Sequence, residues 1–428
     1  MKLRREILAL ALPAIATNIS VPLLGLTDTA VTGHIGGSLY LPAIALAGTI
    51  FNMMYWLFSF LRMGTSGFTS QAYGSADTRA TSVLLWRGIS IGLIFGLIVL
   101  CIQTPLINTA TAFMDAGDDV QPLAAEYIRI CIWGAPAVIS LYAMSGWLVG
   151  MQDTRTPLWV SIGTNILNIG LSIGLVFGAG WKIAGVAAAT LISQWTGAIV
   201  TLVLILKKYR PQAAACADIF SLRELGPFLR INGDAFLRTL CLIAVTVWFT
   251  RSGAAHGPDT LGANAVLLQL FMLFSYFMDG FAYAGEALCG KYTGRRDTAT
   301  VNSIIRSLLR TGAILALIFT ALYTLGGELF IRLITDSPDI RLTAMHYLPW
   351  AAAIPLCSYA AFIYDGVFIG ITRTRLMLTA MAAAAILFFS IWLALHNHMG
   401  NNALWLAFDT YLLVRGLLSH ALYQKYKK

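Results

Sequence analysis

Long apolar runs broken by short polar or basic turns recur along the entire chain. Twelve are legible, near residues 7–32, 41–68, 83–105, 122–149, 158–180 and 183–206, and again near 228–250, 261–290, 303–325, 345–370, 375–395 and 403–423. Crossing a bilayer takes roughly 20 mostly apolar residues. A backbone immersed in hydrocarbon must satisfy its own hydrogen bonds, so each run predicts a helix. The pattern therefore predicts an all-α polytopic membrane protein with twelve transmembrane helices.

The turns are punctuated twice. With the second half laid over the first at an offset of 220 residues, Gly74-Ser75-Ala76-Asp77-Thr78 falls on Gly294-Arg295-Arg296-Asp297-Thr298. Gly150-Met151-Gln152-Asp153-Thr154-Arg155 falls on Gly370-Ile371-Thr372-Arg373-Thr374-Arg375. Tyr127 meets Tyr347, and Leu41, Ala43 and Ala45 meet Leu261, Ala263 and Ala265. Basic turns and apolar runs coincide without an insertion. This predicts two six-helix bundles related by an internal repeat, a construction found in membrane transporters with the substrate site between or within the bundles. Residues 1–206 are expected to form the first bundle and 228–428 the second. The basic interval 207–227 is long enough to be a cytoplasmic linker and too short to be a domain.

Composition supports the membrane reading. The chain is 58% hydrophobic and 11% charged, with a mean hydropathy of +0.73, unlike a soluble globular domain. With the N-terminus inside, only Lys182, Arg251, Arg332 and Arg341 of the 29 basic residues fall at outer ends. Arg62, Arg129, Arg238 and Arg415 lie within runs, and the rest sit at cytoplasmic ends. That asymmetry places both termini in the cytoplasm. The net charge of +9 is then a topology signal and not a nucleic-acid footprint. Residues 1–6 are too short for a targeting peptide, and no small-residue cleavage site follows the first run, which is read as retained helix 1. No soluble catalytic domain is visible, so an enzyme is not expected.

The six cysteines are scattered, mostly inside runs, and form no C-x-x-C pair, so small-hydrophobe roles are expected. His396-Asn397-His398 is the one close histidine pair, a weak metal signal without further ligands. No metal or organic cofactor is expected.

Ionisable groups inside spans are expensive and want a reason. Helix 1 carries Asp28 near its outer end. Helix 5 brings Asn165, Asn168 and Ser172, on one face at i, i+3 and i+7, toward similar depth. Thr190 and Gln194 on helix 6 are candidates to join them. A carboxylate there, with no basic partner, is costly as an anion and suited to taking up and releasing a proton. The competing reading is a hydrogen-bonded structural aspartate. Pro13 and Pro22 bend helix 1, either statically or in a way that changes when Asp28 is protonated.

The second bundle differs. Arg230, Asp234 and Arg238 share one face of helix 7, Asp279 and Glu286 one face of helix 8, and Asp365 lies near the cytoplasmic end of helix 10. Arg238 and Asp279 are each roughly 15 Å from the cytoplasmic boundary and can meet. An ion-pair network closing the inner side is expected, with a structural or gating role in preference to substrate binding.

These residues also carry a resemblance. Thr27-Asp28-Thr29-Ala30-Val31-Thr32-Gly33-His34-Ile35-Gly36 and Arg230-Ile231-Asn232-Gly233-Asp234-Ala235-Phe236-Leu237-Arg238-Thr239 are similar to stretches of the multidrug and toxic compound extrusion (MATE) family. So are Asp279-Gly280-Phe281-Ala282-Tyr283-Ala284-Gly285-Glu286-Ala287-Leu288 and Asp365-Gly366-Val367-Phe368-Ile369-Gly370. The last three stretches point to the DinF-like branch. The resemblance implies two six-helix bundles forming a V, and a secondary active antiporter that exports cationic or amphipathic drugs by alternating access in exchange for protons, or for sodium. It marks Asp28 as the proton-coupling residue, with Asn168 beside it. Some relatives carry an aspartate where this chain has Ser172, so a two-acid relay is disfavoured here. A lipid-linked saccharide or lipid flippase of related fold is the alternative. The expected partners are small-molecule drugs and the lipid bilayer, with no nucleic acid, for a monomer in the cell's inner membrane.

Overall fold

The computed structural model describes residues 2–33, 39–114 and 119–427, but not the side chains of Lys2, Gly33, 21–30 or 110–114. The described chain is helical, with no strand among the described residues. The first half supplies α1 (Lys2–Gly33), α2 (Tyr40–Leu57), α3 (Phe60–Gly74), α4 (Thr78–Cys101), α5 (Gln103–Met114), α6 (Val120–Cys131), α7 (Ala135–Gly150), α8 (Arg155–Ile173) and α9 (Lys182–Tyr209). A short α10 (Cys216–Ile219) leads to α11 (Leu222–Ala254), α12 (Pro258–Gly294), α13 (Thr298–Ile334), α14 (Pro338–Gly370), α15 (Thr374–Met399) and α16 (Asn401–Lys427).

All twelve runs read from the sequence are helical. Ten helical segments among the described residues are long and apolar enough to cross a bilayer. The other two runs, 7–32 and 403–423, lie in α1 and α16. Breaks inside runs have local causes. The run 122–149 passes through a tight turn at Ile132–Gly134, and Pro136 opens the next helix, where it cannot donate to the Ile132 carbonyl. The run 158–180 ends in a wide turn at Gly174–Gly178 before the left-handed Gly180.

Two compact units result. One is Ala16–Asn232; the other joins Met1–Ile15 to Gly233–Lys428. The first turns of the chain thus group with the second half. They pack on α12, where a Cβ at Gly280 would stand 2.9 Å from the Ala11 carbonyl oxygen.

The repeat holds at the level of single atoms within each unit. Ala76 and Arg296 both adopt left-handed backbone, at φ 60° and 59°, and so do Gln152 and Thr372, at 66° and 54°. Asp77 caps α4 by accepting from the Ala80 amide at 2.8 Å, and Asp297 caps α13 by accepting from the Thr300 amide at 2.9 Å. Glycine contacts repeat too. A Cβ at Gly146 on α7 would strike the Arg62 carbonyl oxygen of α3, and one at Gly366 on α14 would strike that of Ala282 on α12. Because the obstruction is backbone, it cannot swing aside. Gly366→Ala is expected to lower stability by about 1–3 kcal/mol, the range for overpacked cores. A thermal unfolding midpoint in detergent equal to that of the wild type would contradict this.

Candidate functional site

Three polar clusters stand out against the apolar helices, each inside one unit. The first joins α1, α8 and α9. Asn165 donates from Nδ2 to the Ser20 carbonyl at 3.0 Å, and the Ser20 and Ser161 hydroxyls share a hydrogen bond at 2.8 Å. These bonds zip α1 to α8. Asn168, three residues further along α8, is fully buried and donates to Thr190 Oγ1 on α9 at 3.1 Å. Its Oδ1 accepts nothing among the described residues, and neither does the buried Ser172 hydroxyl one turn on. Asn168 and the candidate Thr190 are thus joined, while Asn165 and Ser172 flank Asn168 along α8. Gln194 is not joined to them by any described bond: its Oε1 is pressed against Gly134.

The side chains of Asp28 and Pro22 lie outside the described residues, though the backbone there is helical. Register still locates Asp28. It is eight residues beyond Ser20, about 12 Å along the helix. Ser172 is seven residues beyond Asn165 on a helix that crosses in the same direction. Asp28 thus falls at the level of Ser172. Pro13 is partly buried within the helical backbone of α1, in the segment that groups with the second half.

The second cluster is ionic and lies in the unit Gly233–Lys428. Arg238 of α11 and Arg415 of α16 both donate through Nη2 to Oδ2 of Asp365 on α14. All three side chains are buried or nearly so. Arg415 also lies over the Phe362 ring, 5.8 Å from its centroid. This revises the pairing expected from depth: Arg238 goes to Asp365, while Asp279 accepts from Ser275 at 3.3 Å. Asp234 turns away from the cluster, accepting from Thr374 Oγ1 at 3.0 Å and pairing with Arg375 at 3.5 Å. Glu286 is buried, and Arg230 is exposed outside the cluster. Sequence reasoning placed Arg415 within a span but did not enlist it. A cation in an apolar run was the available signal.

The third cluster lies in the unit Ala16–Asn232, at the turn between α7 and α8 and the C-terminal end of α9. Asp153 accepts from Lys208 Nζ at 2.7 Å, Tyr209 Oη at 2.9 Å and Thr156 Oγ1 at 2.6 Å. Burial pushes this carboxyl up, but the bonds from Lys208, Thr156 and Tyr209 outweigh it and hold Asp153 below the usual carboxylate range. The stabilisation is complete above the ordinary value of about 3.9. It fades as pH falls through the depressed value. Asp153→Ala is expected to cost about 1.5–3 kcal/mol near neutral pH, as for hydrogen bonds to a charged group. Thermal unfolding should show the gap to wild type closing in acid; a constant gap would refute the assignment. Nearby, the interval expected to be a plain linker is strapped to α4. Arg87, buried in α4, donates to the Ile219 and Asp218 carbonyls and to Glu224, each at 2.8 Å.

The family model MatE matches residues 13–173 and 234–392, once in each half of the repeat. The chain belongs to the MATE family. It is 36% identical over 420 residues to the DNA damage-inducible protein F of Escherichia coli (strain K12), covering 97% of this chain and 91% of that one. It is 26% identical over 353 residues to the probable multidrug resistance protein NorM of Thermotoga maritima, covering 79% of this chain and 74% of that one. Among solved structures, an outward-facing multidrug resistance MATE transporter of the MOP superfamily superposes with a TM-score of 0.88 at 19% identity, over 100% of this chain and 97% of that one. This MATE chain is a multi-pass membrane transporter of the DinF-like branch and not an enzyme. No group of three or more His, Cys, Asp or Glu residues suited to a metal ion occurs among the described residues.

Proposed function

We propose that this MATE transporter is a secondary active efflux antiporter in the inner membrane, with both termini cytoplasmic. It exports cationic or amphipathic compounds in exchange for protons by alternating access. Asp28 carries the exchanged proton. As an anion it favours a cationic drug; protonated from the outer side, it releases the drug and favours return of the carrier. Asn168 and Ser172 are its polar neighbours in this reading, with Thr190 holding Asn168 and Asn165 tying α8 to α1.

One observation carries this reading: Asn168 is buried with its acceptor oxygen unused, about one helical turn along α8 from Ser172, whose level Asp28 shares. An unused acceptor suits a neighbour that can donate, and a carboxyl can do so only when it holds a proton. The absence of a second acid at Ser172 suits a single-proton site. Purified protein in liposomes loaded with a cationic dye tests the function. An imposed pH gradient should drive export, and a sodium gradient alone should not. Export driven by sodium with no response to pH would overturn proton coupling.

A further inference from the structure

Another acid, far along the chain from Asp28, is buried among the described residues. Asp409, on α16, is 6% exposed, and neither carboxylate oxygen has a hydrogen-bond partner among the described residues. It sits eight residues from the outer start of α16, about 12 Å into the helix. An ionised carboxylate so placed has lost its water and gained nothing in return. A neutral carboxylic acid fits the surroundings far better.

No described ion pair or hydrogen bond brings a cation to Asp409. Among the described residues five helices touch α16: α14 and α15 most extensively, α11 through Phe249 on Trp405 and Phe408, α12 through Phe271 on Phe408, and α13 through Asn302, which accepts from Tyr423, fourteen residues beyond Asp409. From α14, Cys357 is near enough to feel a charge on Asp409. Asp365 of α14 is engaged by Arg238 of α11 and by Arg415, which is six residues, about 9 Å, further along α16 itself. Tyr364 of α14 bonds His420. On α12, Asp279 accepts from Ser275, and Glu286 and Cys289 are buried. The basic residues and histidines of α15 lie at its ends, Arg375, His396 and His398. Tyr411, on α16, donates to Met381 of α15.

The repeat gives this acid a functional setting. At the offset of 220 residues, Thr410 on α16 matches Thr190 on α9, the hydroxyl that accepts from Asn168. Asp409 therefore stands in its own unit at the helical level that holds the polar site of the other unit, in register with Ala189.

We propose that Asp409 is a second proton-binding site of this transporter, carried by α16 and separate from Asp28, and that it exchanges its proton during the transport cycle. Its role as a second coupling site rests on the proton-antiport reading above; the presence of a bound proton does not. Infrared difference spectra of purified wild-type protein minus Asp409→Asn at neutral pH should contain a protonated-carboxyl band that is lost on raising pH. Asp409→Glu, which keeps the acid, should shift that band and not remove it. In dye-loaded liposomes, Asp409→Asn should shift the pH profile of export, while Asp28→Asn should lose pH-driven export. No band in the wild type, an unchanged band in Asp409→Asn, or an unchanged pH profile in that variant overturns the proposal. If wild-type protein exports no dye in response to pH, the antiport reading fails, and the infrared band still decides whether Asp409 binds a proton.

Discussion

Asp28→Asn is expected to abolish export driven by a pH gradient while leaving the protein folded. The amide matches the carboxyl in size, so packing at that level of α1 is preserved and only the titratable charge is removed. Coupling between two ligands that compete through one charge typically amounts to about 1–3 kcal/mol, or 5–150-fold in affinity. Dye binding to the wild type should weaken by about that factor between alkaline and acidic pH. In Asp28→Asn and Asp28→Ala the ratio should fall to about one. Asn168→Ala should be milder, because it removes one hydrogen bond worth about 0.5–1.5 kcal/mol and leaves the titrating group in place. Full proton-driven export by both Asp28 variants would remove that residue from the mechanism.

Asp365→Ala is expected to be the most destabilising single substitution in the second cluster. Two guanidinium groups converge on one oxygen of this carboxylate, with Arg415 and Asp365 both almost fully buried. Removing the shared acid leaves two cations facing each other in an apolar interior. Breaking a buried pair in this way costs about 3–5 kcal/mol. Replacing all three residues together, as Arg238→Met, Asp365→Leu and Arg415→Met, should cost less than Asp365→Ala, because no charge is stranded. The exposed Arg230 makes a control: Arg230→Ala should change stability little. Unfolding midpoints in detergent measure all three. A triple variant less stable than Asp365→Ala would show that the ion pairs themselves hold this unit together.

The helices were legible because a bilayer accepts one backbone solution, and a run of apolar residues long enough to cross it declares that solution locally. The duplication was legible for a related reason. Turns such as Gly74–Thr78 and Gly294–Thr298 must satisfy the same helix ends, so the same residue types recur at the same offset. The structure repeats even their left-handed residues, Ala76 with Arg296 and Gln152 with Thr372. The face shared by Asn165, Asn168 and Ser172 followed from helical spacing alone, whereas which of the two candidates on α9 meets it, Thr190 and not Gln194, came from packing.

Partners contributed by distant helices were not legible in that way. Depth along a helix can be counted from the sequence, but rotation about its axis and the choice of neighbour depend on packing. Arg238 was matched in depth with Asp279, yet the packing of α11, α14 and α16 presents Asp365 to it together with Arg415. The strap of Arg87 across the segment before α11, and the grouping of Met1–Ile15 with the second half, likewise depend on contacts between residues far apart in sequence. By itself, the sequence determined the helical membrane architecture, its internal repeat and the polar face on α8, since these follow from periodicity and from the demands of lipid on a single segment. Only the tertiary structure decided which charges meet and which buried carboxyl, Asp409, is left without a hydrogen-bond partner among the described residues, because those outcomes depend on how separate helices turn toward one another.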